Sequence, residues 1–188
     1  MRVEQQSSLQ IEQIRSSDEL TAIETEWTNL WKRCPIATPF QSPAWLIPWW
    51  KHFGNDEDLF AMAIRNAGEL AGIAPFYLAG DQANRRSLQV IGTGISDNLD
   101  ALALPHFASL VADGIFSFLA EACNLWTICE FHDLAADAFL LKAPSADLWQ
   151  DNVREESVCP ILALPKSVED LPKILPEQDV KSLSITRL

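Results

Sequence analysis

The residues best placed to do chemistry cluster between positions 89 and 100. Gln89-Val-Ile-Gly-Thr-Gly94 sets two glycines at the end of an apolar run. Glycine lets a backbone approach a ligand closely, and N–H groups at a helix start can hold phosphates. Gln89, Gly92 and Gly94 could therefore cradle a pyrophosphate. Two features favour a plain strand-end turn instead. The following Ile95-Ser-Asp-Asn-Leu-Asp100 does not open a clean helix, and Asp97 and Asp100 bring negative charge beside any phosphate. Ser96, Asp97 and Asp100 themselves form a small acidic loop. Such a loop on a rigid sheet can face a substrate. It can equally be a solvated turn capped by its own aspartates.

Other chemistries have less behind them. His52, His106 and His132 show no metal-ligand spacing. His132 precedes Asp133, but no G-x-S-x-G elbow supplies a nucleophile for a hydrolase. Cys34, Cys123, Cys129 and Cys159 form no C-x-x-C pair. Their apolar surroundings read as sites for buried free thiols, which suits a reducing cytoplasm. The formal net charge is -12 and the basic residues are scattered, so no phosphate-neutralising stripe for nucleic acid is visible. No signal-peptide core opens the chain, and no apolar run reaches the roughly 18 residues of a membrane span. These features predict a cytoplasmic protein that does not span a membrane.

The 188 residues suffice for one domain with a sizeable core. Leu9–Ile14 alternates and predicts a strand. Ser16-Ser-Asp-Glu19 offers a capping box for a helix that carries Leu20, Ile23, Trp27, Leu30, Trp31 and Cys34 and ends before Pro35. Leu59–Ile64 and Leu70–Leu78 predict a hairpin turning at Asn66-Ala-Gly-Glu69, with Pro75 marking an edge or bulge. Ser87–Ile91 and Leu99–Leu104 predict further strands. Phe107–Cys123 predicts a helix buried on Phe107, Leu110, Val111, Phe118, Leu119 and Ala122. Strands over Leu125–Phe131 and Ser157–Leu164, a short helix over Leu134–Leu141 and a last helix capped by Ser167 complete the order. The alternation predicts an α/β layered domain with a mixed sheet.

One segment stands out among these elements. Pro39-Phe-Gln-Ser-Pro-Ala-Trp-Leu-Ile-Pro-Trp-Trp-Lys-His-Phe-Gly54 holds three of the seven tryptophans. Ser42 suits an N-cap, Pro43 the first helical position and Gly54 the C-terminal stop. Pro48 predicts a kink or a late start. Trp45, Leu46, Trp49, Trp50 and Phe53 fall on an arc about 140° wide. Trp45 and Trp49 are expected in the core. Trp50, at the edge of the arc, is the candidate for an outward-facing contact.

Taken in order, Phe40-x-Ser-Pro-x-Trp45-Leu-x-x-Trp49-Trp-x-x-Phe-Gly54, Gly68-Glu-Leu-Ala-Gly-Ile-Ala-Pro75 and Gly92-Thr-Gly-Ile-Ser-Asp97-x-Leu-Asp100 resemble one family. It is the CelD/BcsL-type acyltransferases of the GNAT superfamily, related to FemAB-like proteins. Cys159-Pro-Ile-Leu-Ala-Leu-Pro165 resembles the family's next landmark. Asn98 stands where family members commonly have tyrosine. The resemblance implies a GNAT-like, largely antiparallel sheet flanked by helices. It also implies a single domain over 1–188, the N-terminal half of a tandem, with a short helix and tail over 166–188. The implied activity moves an acyl group from acetyl-CoA or another acyl-CoA to an amine or hydroxyl. The implied acceptor is a small molecule or glycan-related, in polysaccharide production. Ser96, Asp97, Asp100 and Trp50 would then face the substrate or the missing C-terminal half. The alternative is a noncatalytic binding or scaffold domain without its own acyl-CoA site, prone to self-association.

Overall fold

The computed structural model describes residues 9–80, 86–142, 149–156, 158 and 162–175. The chain divides into two units, Met1–Asn152 and Val153–Leu188. In the first unit the order is β1 (Gln10–Ile14), α1 (Ser17–Ala22), α2 (Glu24–Arg33), α3 (Pro43–Phe53), β2 (Ala61–Asn66), β3 (Glu69–Ala74), β4 (Phe76–Ala79), β5 (Ser87–Val90), β6 (Leu102–Ala103), α4 (Ala108–Glu121) and β7 (Ile128–Cys129). One sheet runs β1-β2-β3-β6 and a second runs β4-β5-β7. All pairings are antiparallel except β5 with β7. The expected mixed sheet with helical cover is present.

The centre of the first sheet is buried through and through. Ala61, Met62, Ala63 and Ile64 lie in the core without a break. A strand buried on both faces needs cover on both sides, and both α2 and α4 pack on β3. Val111 of α4 fills the space over Gly72, where a Cβ would meet it at 2.6 Å. Trp27 and Leu30 of α2 are fully buried. At the edge, β1 alternates exposed Gln10 and Glu12 with the more buried Ile11 and Ile14. Charge on an edge strand discourages pairing with another chain.

The predicted hairpin forms, with Asn66 opposite Glu69 and a bulge beside Arg65. Its two loop residues, Ala67 and Gly68, both have positive φ, 49° and 86°. That is the type I′ conformation, which matches the twist of the strands. The single helix expected over 20–34 is two helices that part at Ile23 (φ -92°, ψ 4°). The Thr21 hydroxyl donates to the Ser17 carbonyl at 2.7 Å, a back-bond that bends helices. Ser16 caps α1 as expected, its Oγ accepting from the Glu19 N–H at 3.2 Å.

The tryptophan helix corrects two expectations, the outward-facing Trp50 and the core position of Trp45, while Trp49 is half-buried. The helix begins at Pro43 and runs through Pro48. Its buried face is Pro43, Leu46, Ile47 and Trp50. Trp50 is 1% exposed, whereas Trp45 is 39% and Phe53 59% exposed. The contact residue of the sequence reading is therefore the core residue. The i, i+3, i+4, i+7 spacing from Pro43 selects that face, and the Trp50 Nε1 reaches Asp56 at 3.1 Å. The same Asp56 carboxylate accepts from the Ser17 N–H at 2.9 Å and the Ser17 hydroxyl at 2.5 Å. These Ser17 bonds hold its carboxyl below the usual range. Ser42 leads α3 without capping it by its side chain, which instead donates to the Pro39 carbonyl at 2.7 Å.

Smaller corrections follow from short pairings. The strands over 99–104 and 125–131 shrink to Leu102–Ala103 and Ile128–Cys129. The helix over 134–141 reduces to a 3-10 turn at Leu140–Lys142. Leu110, expected inside, is 47% exposed. Cys34 is buried as expected, Cys129 is half-buried and Cys123 is exposed. Burial pushes the Cys34 thiol up to about 11 and the Cys129 thiol to about 12. In the second unit, Ser167 caps a 3-10 helix over Val168–Lys173 that contains Pro172. Ser157 and Cys159-Pro-Ile161, part of the last predicted strand, lie outside the described residues, as does the tail from Pro176.

Two substitutions test this account. Ala67→Asn should raise unfolding free energy by about 0.5–1 kcal/mol, because asparagine tolerates the left-handed conformation better than alanine. Gly54→Ala should lower it by about 1–3 kcal/mol, because a Cβ there would lie 2.4 Å from the Trp50 ring. Urea denaturation of both variants beside the parent chain checks each sign.

Candidate functional site

Residues 69–79 form one extended run interrupted only at Pro75. Along one of its edges two strands follow each other. Leu102 of β6 lies opposite Ile73, and Val90 of β5 lies opposite Phe76. Residues 91–101 thus leave the sheet and return across the width of Ala74 and Pro75. The exit is held by the Ile91 N–H on the Pro75 carbonyl at 2.7 Å. The return is held by the Leu104 N–H on the Ala71 carbonyl at 2.8 Å. Of the residues singled out by the Gly-rich and acidic motifs, all but Gln89, which lies within β5, sit in this segment.

The glycine motif does not form a phosphate cradle. The Thr93 N–H and Oγ1 both donate to the Val90 carbonyl, at 3.2 and 2.7 Å, and the segment continues as turns. Gly92 has φ 107°, and a Cβ on it would meet Leu99 at 2.8 Å and Leu46 and Ser96 at 3.0 Å. The space beside Gly92 is filled by the protein's own side chains. Gly94 has φ 95° and open space, but it stands on the exposed crest of the loop. Gln89 is engaged within the sheet: its Oε1 accepts from Tyr77 at 2.8 Å and its Nε2 donates to Ser87 at 3.0 Å. These three residues do not fit a pyrophosphate, and the strand-end turn is what they build.

The acidic loop divides. Asp97 is exposed. Ser96 is buried and accepts from the Trp45 Nε1 at 2.9 Å, tying the loop to α3. Asp100 is 4% exposed. One of its oxygens accepts from the Ala101 N–H at 2.9 Å and the Leu140 N–H at 3.0 Å. The other accepts from the Phe139 N–H. The Leu99 N–H adds a bond to the Asp133 carbonyl at 3.1 Å, where Asp133 has φ 58°. Asp100 is thus a clasp between two distant segments. Burial raises its carboxyl to about 6, Asp137 adds to the rise, and the three backbone N–H groups oppose it.

The strand-turn-helix context that phosphate binding needs does occur, one segment further on. There β6 leads through Leu104-Pro-His-Phe107 into α4. The α4 N-terminus has no side-chain cap and no acidic residue in its first turn. The Phe107 N–H donates to the Leu104 carbonyl at 2.8 Å and the Ala108 N–H to the Pro105 carbonyl, so the helix dipole is what favours an anion there, and His106 and Ser109 beside it are exposed. A motif search passes over this turn because it has no glycine, and Pro105 removes one N–H. Among the described residues no group of His, Cys, Asp and Glu could hold a metal ion. No described helix is long and apolar enough to cross a membrane.

The Asp100 clasp carries a pH signature. Its folded carboxyl sits near 6 against 3.8 for an ordinary aspartate. A raised acid contributes stability below its unfolded value and loses it as pH rises through the folded one. Relative to Asp100→Asn, the parent chain should lose up to about 3 kcal/mol between pH 4 and pH 7. Urea titrations of both chains across that range measure the difference, and parallel curves would refute it.

No protein-family model matches the chain, and no curated protein matches its sequence. Solved structures do match. An aminoglycoside acetyltransferase from an uncultured soil metagenomic sample is 17% identical, with 84% of this chain and 99% of that one covered, at TM-score 0.51. A ribosomal-protein-alanine N-acetyltransferase from Brucella melitensis biovar Abortus is 16% identical over 80% of this chain and 100% of its own, at TM-score 0.46. An aminoglycoside N-acetyltransferase in complex with CoA is 13% identical over 88% of this chain and 100% of its own, at TM-score 0.49. The first of these shows the fold alone: antiparallel sheets flanked by helices, as in that acetyltransferase structure.

Proposed function

We propose that the chain is an acyl-transfer domain of the GNAT type, which takes an acyl group from acetyl-CoA or another acyl-CoA to an amine or hydroxyl. The observation that carries this reading is the fold. It is matched over almost the whole length of an acetyltransferase. The uncapped start of α4, free of acidic residues, supports it as a place for an anionic group. The family resemblance extends the reading to a small-molecule or glycan-related acceptor in polysaccharide production. It also extends it to a place as the first half of a tandem.

A second reading is a noncatalytic binding or scaffold domain. The packing around Gly92 favours it, because the Gly-rich turn at the end of β5 is closed by Leu46, Leu99 and Ser96. The exposed Trp45 and Phe53 favour it too, as apolar surface open to self-association.

Calorimetry with acetyl-CoA on the purified chain separates the two. Acyl transfer predicts heat of binding with a dissociation constant in the millimolar range or tighter. Silence at millimolar acetyl-CoA would leave the scaffold reading.

A further inference from the structure

We infer that residues 91–101 are a built-in plug that obstructs acyl-CoA at the junction of the two sheets, with Asp100 as its latch. This rests on the acyl-transfer reading above.

The place is defined by the fold. In open α/β sheets ligands bind in a crevice outside the carboxyl ends of the strands, at a point where the strand order reverses. In this largely antiparallel fold a parallel pair is where such a crevice would open. The parallel pair here is β5 and β7, with Ser87 opposite Ile128 and Leu88 opposite Cys129. Their carboxyl ends lead into 91–101 and into 130–140. A crevice between those exits would be open if the two segments stayed apart. They do not. The Leu99 N–H bonds Asp133, and Asp100 takes the N–H groups of Phe139 and Leu140. Ile91 and Leu99 are wholly buried and Ala101 nearly so. The loop is an internal layer at this point, not a surface excursion. Its crest, Gly94 and Ile95, stays exposed, and Ser96 is tethered to Trp45 on α3.

The latch is suited to release. Its bonds are all to backbone N–H groups, which any competing acceptor can take over. A ligand carrying amide carbonyls, as the arm of CoA does, offers such acceptors. Binding at the junction therefore requires the Asp100 bonds to open, and the affinity of the closed chain is reduced by the fraction of time it is open.

Two measurements test this. In the parent chain, acetyl-CoA should speed hydrogen exchange at the Leu99, Phe139 and Leu140 amides, because ligand and latch compete. Slower or unchanged exchange under saturating acetyl-CoA would overturn the plug. By calorimetry, Asp100→Ala should bind acetyl-CoA at least tenfold more tightly than the parent. Trp45→Phe, which removes the tether to Ser96 while keeping an aromatic ring beside Phe40, should shift affinity in the same direction. It serves as the readout if Asp100→Ala does not fold. Equal, measurable affinity in parent and variants would overturn the plug while leaving acyl-CoA binding in place. No binding by any of them would overturn the plug and the acyl-transfer reading together.

Discussion

Pro75 has no N–H to give to a ladder. That single missing donor organises the sheet. The run from Glu69 to Ala79 is apolar enough to stay buried along most of its length, so it does not leave the core at the proline. It changes partners instead. Before Pro75 its edge pairs with β6, and after Pro75 with β5. On the other edge, Phe60 bonds the Phe76 carbonyl at 3.1 Å and Leu59 bridges Tyr77, so the strand remains anchored across the break. The Pro75 carbonyl keeps its acceptor role toward Ile91. Everything between β5 and β6 is thereby confined to the junction.

The confinement explains why α3 matters to a loop some fifty residues away in sequence. Leu46 of α3 closes the space over Gly92, and Trp45 holds Ser96. One turn further on, Trp50 is fixed by Asp56, which also binds the first residue of α1. The helix rich in tryptophan is therefore a brace between the helical layer and the sheet junction. Its outward side carries Trp49 and Phe53 with ring centroids 5.3 Å apart, and Trp49 also meets Tyr77 at 5.8 Å. Ring contacts of this kind add roughly 0.5–1.5 kcal/mol beyond area burial. They line the partly exposed rings along the sheet rather than scatter them.

Local chemistry was legible in the sequence where a residue's partners lie close by. The hairpin turn at Ala67-Gly68, the Ser16 cap, the Pro43 start and the stop at Gly54 each depend on neighbours within a few positions. The buried face of α3 was not legible, because four aromatic rings spread round a short helix give no clear polar side to subtract. The end of the strand at 125–131 was not legible either. Its residues favour extended backbone, but only Ile128 and Cys129 find a partner in β5. Likewise Gln89, Gly92 and Gly94 have the right types at the right spacing. What decides against a cradle is the helix that does not follow and the space beside Gly92 that Leu99 and Ser96 of the loop and Leu46 of α3 fill instead.

Asp97 and Asp100 show the same limit most plainly. They are the same residue type three positions apart, in a loop where either could meet a substrate. Asp97 keeps its water. Asp100 gives it up, at a cost that shows in its raised carboxyl, and receives three backbone N–H groups in return. A hydroxyl could not satisfy three such donors from two segments; a carboxylate, with two oxygens and about four acceptor positions, can. Two of those donors belong to Phe139 and Leu140, far down the chain, and no pattern near position 100 announces them. The acidic residue beside a would-be phosphate site is thus explained by what it holds together, and the chemistry of the junction turns on whether that hold can be broken.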